Sequence, residues 1–204
     1  DLHSFPTRRS SDLVGVMESN DAQFMRPHGE DGLKMIKEMN QGHEDISNFA
    51  MECIDTSVDD DVLDIGCGGG VNIEKFLRRC PDGNVWGLDY SVVSVSESIK
   101  RNQEAVDMGR CQVIEANVCN MPIDDDTFDI VSAFSSIYFW PDFKNTLKKV
   151  FKIIKTNGQF MIACGSDGND PNDEDWVDAD AGMTVYTEEQ FADQIGRASC
   201  RERV

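Results

Sequence analysis

The chain has 204 residues, 40% of them hydrophobic, with 38 Asp and Glu against 19 Lys and Arg and a formal net charge of −19. That length suits one domain with a real core. So acidic a surface repels phosphate backbones and anionic lipid, which argues against nucleic acid or a membrane as partner and for a small molecule.

The two ends read as foreign to the rest. HSFPTRRSSD (3–12) and IGRASCRERV (195–204) are basic in an acidic chain. Taken backwards from Val204 to Ile195, one permitted codon per residue has a complement that encodes His3 through Asp12 at every position. Both ends can therefore be one oligonucleotide read on opposite strands. Residues 1–13 and 195–204 are expected to be sequencing-adapter-derived tails and are set aside from the fold, with both natural termini missing. Between them stand 14 Lys and Arg against 35 Asp and Glu, a formal charge of −21. The cysteines of that segment (Cys53, Cys67, Cys80, Cys111, Cys119 and Cys164) form no C-x-x-C pair. That argues against a metal site, and a reducing cytoplasm is the expected compartment. No apolar run approaches the roughly 20 residues that span a bilayer.

From residue 31, apolar residues at helical spacing (Leu33, Ile36, Met39, then Ile46, Phe49, Ala50, Cys53, Ile54) predict two helices joined near Gln41–Gly42. They belong to an expected N-terminal helical lid, 14–60, ahead of a core at 61–194. VLDI is a short apolar strand and GCGGG a glycine-rich loop. VNIEKFLRRC reads as a helix ended by Pro81, and NVWGLD as the second strand. SVVSVSESIKRNQEAVDMG reads as one long helix, capped by Ser91 and stopped by Gly109. CQVIEA and FDIVSAF are strands three and four. PDFKNTLKKVFKII is a helix with Pro141 at or near its first turn, and NGQFMIAC is strand five. An acidic loop is expected over Gly165–Gly182, then a helix opened by a Thr187–Gln190 capping box. Short apolar strands alternating with helices predict an α/β fold: a doubly wound, mostly parallel sheet with helices on both faces. Ligands of such sheets sit at the carboxyl ends of the strands.

The chemistry-bearing residues follow the strands. Gly66, Gly68 and Gly70 allow a tight turn and close backbone approach, and the helix N-terminus behind them favours anionic groups. Asp89, at the end of strand two, is placed to accept hydrogen bonds from ribose hydroxyls. A dinucleotide fingerprint G-x-G-x-x-G/A fails here, because counting from Gly66 the last position is Val71. Asp64 at the strand end would oppose a pyrophosphate but attract a sulfonium and an ammonium group. A cationic cofactor is favoured over a dinucleotide. Cys67 within the loop reads as a small packing residue rather than a nucleophile.

The stretch from Val62 to Cys164 resembles the class I S-adenosylmethionine-dependent methyltransferases, in particular the small-molecule type 11 group. VLDIGCGGG looks like the family's first motif and GLDYS like its second. ANVCNMPIDDDTFDIV and LKKVFKIIKTNGQFMIA look like two later segments, in the right order. The resemblance implies S-adenosyl-L-methionine as cofactor and a Rossmann-like core. Asp64, Gly66, Cys67 and Gly68 would surround its methionine part. Asp89 would hold the ribose, Tyr90 would flank the adenine, and Asn117 and Val118 would lie at the adenine edge. Phe134 and Ser135 would line the floor near the methyl group. The family usually has Asp where Asn117 stands, so adenine recognition loses a charge there.

For the acceptor side, His43 and Tyr138 are the candidate catalytic residues, with Phe139 and Trp140 as candidate wall. The family sheet has seven strands; five are counted here. Strand five is therefore expected to have an uncovered edge, and Ile195 onward to be frayed. The expected function is methyl transfer to a small molecule. The alternatives are a non-catalytic cofactor-binding domain and a nicotinamide-dependent oxidoreductase. A nucleic-acid methyltransferase is opposed by charge and by SSIYFWPD standing where an N/D-P-P-Y/F motif would be.

Overall fold

The computed structural model describes residues 23–166, 168–169 and 183–198; both ends of the chain, the start of the expected lid and most of the Gly165–Gly182 loop lie outside the described residues. Five strands form one sheet: β1 Val62–Ile65, β2 Val85–Asp89, β3 Cys111–Glu115, β4 Phe128–Phe134 and β5 Ile154–Ala163. The order is β3-β2-β1-β4-β5 and every pairing is parallel. The chain winds outward from β1 to β3, then returns to the other side of β1 for β4 and β5. That reversal opens a crevice at the carboxyl ends of β1, β2 and β4.

Side chains alternate across the sheet, as a two-residue period requires. Leu63 and Ile65 of β1 and Val131 and Ala133 of β4 face α6 (Phe143–Ile153). That helix buries Phe143, Leu147, Val150 and Ile153, a three- and four-residue spacing that makes one apolar stripe. Val62, Ile130 and Phe134 face the opposite way, onto Ala50 and Met51 of α2 (Glu44–Cys53) and Ile73 and Phe76 of α3 (Val71–Arg79). Each such large side chain, fully buried, contributes about 1.5–3 kcal/mol. Asp64 and Ser132 take the same face as Val62 and Ile130, so the alternation alone carries a carboxylate into an apolar layer.

The N-terminal helices are α1 (Gly29–Gly42) and α2, hinged at His43, beside the predicted joint. The long helix after β2 is instead two, α4 (Val92–Arg101) and α5 (Gln103–Asp107), broken at Asn102. Asn102 is buried, and its Nδ2 donates to Ser98 O at 2.9 Å and to Gly70 O at 3.1 Å. The helix is interrupted where that side chain crosses to the glycine loop. Ser91 does cap α4, accepting from Ser94 N at 3.2 Å. Pro141 lies near the first turn of α6, just ahead of it; Asp142, with φ +44, is the N-cap. β5 starts at Ile154, earlier than predicted, and Asn157 (φ +68) with Gly158 forms a bulge between the Phe128 and Ile130 pairings.

The last helix, α7 (Glu188–Ala198), opens with the expected reciprocal cap: Thr187 N donates to Gln190 Oε1 at 2.9 Å and Gln190 N to Thr187 Oγ1 at 3.2 Å. It does not fray at Ile195. Ile195 follows Phe191 by one turn, and both pack on the α6 side of the core. Among the described residues β5 has one strand neighbour, β4.

Candidate active site

The loop after β1 turns through three left-handed glycines, Gly66 (φ +74), Gly68 (φ +51) and Gly70 (φ +75). Gly66 donates to Leu88 O at 2.7 Å, and Ser136 closes over it by donating to Ile65 O at 2.8 Å. A Cβ at Gly66 would lie 2.4 Å from Ser136 Cβ. We therefore expect Gly66→Ala to lower unfolding stability by about 2–5 kcal/mol, combining left-handed strain with overpacking; a urea midpoint unchanged from wild type would contradict it. The loop is clamped from behind as well, by Arg101 Nε on Gly69 O at 3.0 Å and by Asn102 on Gly70 O. Gly68 differs: a Cβ there would meet nothing within 4 Å, because the loop faces open space at that point.

Asp89 is buried and ties the loop to β2. Its Oδ2 accepts from Gly68 N at 3.0 Å and its Oδ1 from Ser91 N at 2.9 Å. Burial pushes its carboxyl up, while backbone N–H groups of Ser91, Gly68 and Tyr90 pull it down. Asp64 lies deeper. Its Oδ1 accepts from Ser132 Oγ at 2.8 Å, its register partner on β4, but its Oδ2 is buried with no hydrogen-bond partner. Burial raises this carboxyl to about 7, the Ser132 bond opposing and the Asp89 charge adding to the rise. Cys67 is buried with its Sγ 3.9 Å from Ser98 Oγ, and burial holds it as a thiol.

The segment before α1 straps across the end of β2. Tyr90 donates from its hydroxyl to Met25 O, Ser91 Oγ donates to Pro27 O at 2.5 Å, and the Arg26 guanidinium lies 5.5 Å from the Tyr90 ring centroid. On the β3 side, Asn117 Oδ1 accepts from Cys119 N at 2.8 Å and starts the turn that buries Val118. On the β4 side, Phe134 is buried and Ser135 (φ +48) donates to Ala163 O at 2.8 Å.

These walls enclose a cleft of about 260 Å³ lined by Gly66, Cys67, Gly68, Asp89, Tyr90, Asn117, Val118, Phe134 and Ser135. Every predicted cofactor residue except Asp64 lines it; Asp64, on β1 just before the loop, is fully buried and does not. His43 also lines the cleft, and burial lowers its pKa, so its imidazole is neutral at pH 7. Tyr138 does not line it. Successive residues of the short helical turn Ile137–Phe139 point different ways: Tyr138 turns inward, where its hydroxyl accepts from Ser166 N at 3.3 Å and burial raises its pKa. Phe139 and Trp140 take the wall position. Sequence reasoning missed Ser132, Ser136 and Asn102. Ser132 had a signal, being the one hydroxyl inside the apolar run FDIVSAF.

Comparison with known proteins agrees with this geometry. Residues 63–162 match the methyltransferase domain family. The demethylmenaquinone methyltransferase of Listeria welshimeri is 30% identical over 116 residues, 56% of this chain and 48% of that protein. The YcgJ protein of Bacillus subtilis has a similar solved structure, with a TM-score of 0.66 at 18% identity over 76% of this chain and 68% of that one. So has the [4+2]-cyclase SpnF, with a TM-score of 0.64 at 18% identity over 78% of this chain and 58% of that one. The chain spans between a third and two thirds of the length of the curated relatives it matches.

Proposed function

Residues 63–162 are a class I S-adenosylmethionine-dependent methyltransferase domain, and on that premise we propose that the chain binds S-adenosyl-L-methionine in the strand-end cleft and directs methyl transfer to a small-molecule acceptor. The observation that carries this reading is Asp89: a buried carboxylate at the end of β2 that reaches the cleft while holding Gly68 N in place. The residues fit the cofactor in two further ways. Gly68 leaves open space where any side chain would intrude. The partnerless Oδ2 of Asp64 puts a latent negative charge just before the loop, suited to a positively charged ligand.

Gly66, Cys67 and Gly68 with Asp64 before them would hold the methionine part; Asp89 the ribose; Tyr90, Asn117 and Val118 the adenine; Phe134 and Ser135 the floor near the methyl. The bound cofactor supplies an electrophilic methyl on a positively charged sulfur. The chain's own work is to position the partners and exclude water. Asn117 spends one lone pair of Oδ1 on Cys119 N and keeps its amide hydrogens for a base edge. Where the acceptor has a proton to lose, the neutral imidazole of His43 takes it. The α1–α2 pair serves as the cover within an N-terminal lid, 14–60. A net charge of −19 favours a small acceptor over nucleic acid. Among the described residues no helix is long and apolar enough to cross a membrane. The free cysteines fit a cytoplasmic setting.

A second reading keeps the cofactor and drops the methyl transfer, since a [4+2]-cyclase shares this fold. Two measurements separate the readings. Calorimetric titration of S-adenosylhomocysteine should give saturable one-site binding. A screen with methyl-labelled cofactor should then transfer label to a small acceptor. Binding without transfer to any acceptor favours the second reading; no binding by folded protein sinks both.

A further inference from the structure

Besides the residues assigned to the cofactor, the cleft is lined from the α1–α2 corner and from the segment after β4. These walls combine Met39, His43 and Glu44 with Phe139 and Trp140. The charge of the cleft is one-sided. Among the described residues no Lys or Arg lines the cleft, while Glu44 and Asp89 do. Neither nearby cation lines the cleft: Lys75, within electrostatic reach of Glu44, spends its Nζ on Ser47 Oγ at 2.6 Å and Asn48 Oδ1 at 2.7 Å, and Arg26 lies over the Tyr90 ring. A phosphate or carboxylate on the acceptor would find no charged partner here.

The same walls offer acceptors for N–H groups. Among the described residues the His43 ring has no hydrogen-bond partner, although half-buried, and it adjoins Glu44 at the corner. Burial keeps that imidazole uncharged, so it has a lone pair to offer and does not repel a cation. Trp140 and Phe139 add aromatic surface of the kind that attracts ammonium groups. The whole chain, at −19, draws cations toward it.

Resting on the methyl-transfer reading, we infer that the acceptor is a small amine with an apolar body, bound as its ammonium by Glu44 and His43; one N–H proton passes to the His43 imidazole, and the freed nitrogen lone pair then takes the methyl as the cofactor's carbon–sulfur bond breaks. Neutral alcohols would make the apolar contacts without the charge contact. Anions would meet only repulsion from Glu44 and Asp89.

The test uses three probes of one shape, 2-phenylethylamine, 2-phenylethanol and phenylacetate, titrated by calorimetry into the full chain saturated with S-adenosylhomocysteine. The amine is expected to bind about tenfold tighter than phenylacetate, from attraction in one case and repulsion in the other. Glu44→Gln should weaken the amine roughly threefold, in line with an exposed ion pair, and leave the alcohol unchanged. His43→Phe should weaken the amine more than the alcohol. Phenylacetate binding as tightly as the amine, no preference among the three, or no binding of any probe overturns the inference. The S-adenosylhomocysteine titration comes first and reports separately: failure there removes the methyltransferase reading and this inference together, whereas loading followed by no amine preference removes only this one.

Discussion

Replacing Asp89 with Ala is expected to weaken S-adenosylhomocysteine binding by about a hundredfold or more, the equivalent of losing charge-assisted hydrogen bonds to the ligand. The reason lies in its double duty. Both carboxylate oxygens already accept backbone N–H groups, from Gly68 and Ser91. Each oxygen keeps further lone-pair capacity for a ligand hydroxyl. The Ala variant therefore loses the ligand contact and also releases Gly68, the one loop glycine that faces open space. Two orphaned N–H groups cost about 1–3 kcal/mol each if they stay buried, so the variant should also melt earlier. It should still fold, because neither core cluster depends on Asp89. Circular dichroism and a urea midpoint separate these effects. A folded variant that binds within threefold of wild type would show that the ligand sits elsewhere. Asp89→Asn is the finer probe. It keeps one acceptor oxygen but turns an amide N–H toward a backbone donor, and should fall between wild type and Ala.

The elements most legible in the sequence were those whose cause is local. Short apolar runs, a glycine-rich loop and an acid at a strand end all belong to contiguous stretches, and the parallel sheet with its cleft follows from them. The Thr187–Gln190 cap was legible for the same reason. What escaped depends on contacts between distant stretches. Asn102 breaks a helix that looked continuous, because its amide is drawn to Gly70, thirty-two residues away. Tyr138 and Phe139 are adjacent, yet one enters the core and the other the cleft, a choice made by a single short turn. Ile195 continues a helical face whatever the origin of its codon, since apolar spacing and an available groove suffice. Of the site, the glycine loop and Asp89 could be read directly; Ser136, which closes over Gly66 from a distant stretch, could not, and Ser132 beside Asp64 left only the signal of a hydroxyl in an apolar strand.

Asp64→Asn is expected to move stability and cofactor affinity in opposite directions. Asp64 is fully enclosed, with one oxygen on Ser132 and the other without a partner. Its carboxyl titrates at about 7 in the folded chain against 3.8 for the free group. A raised acid favours the protonated fold. Its stabilising contribution is fully present below 3.8, declines as pH rises between the two values, and is gone above about 7. At pH 8 the wild type thus carries a buried charge with a single hydrogen bond. The rise from 3.8 to about 7 sets an upper bound of about 4 kcal/mol on the cost of that charge. The Asn amide keeps the Ser132 bond but leaves its N–H unpaired, which returns about 1–3 kcal/mol. The net expectation is a variant up to about 1–3 kcal/mol more stable than wild type at pH 8 and less stable than it near pH 4, read from urea midpoints across that range. S-adenosylhomocysteine, with its cationic ammonium, should bind the variant less tightly at pH 8, and sinefungin, with a second amine, should lose more. A buried carboxylate kept at the expense of stability is what a site for a cation requires, and a core residue without that role would gain nothing from it. If the Asn variant is instead less stable at pH 8 and the stability profile keeps its slope between pH 4 and 7, the charge before the glycine loop belongs to the fold and not to the ligand.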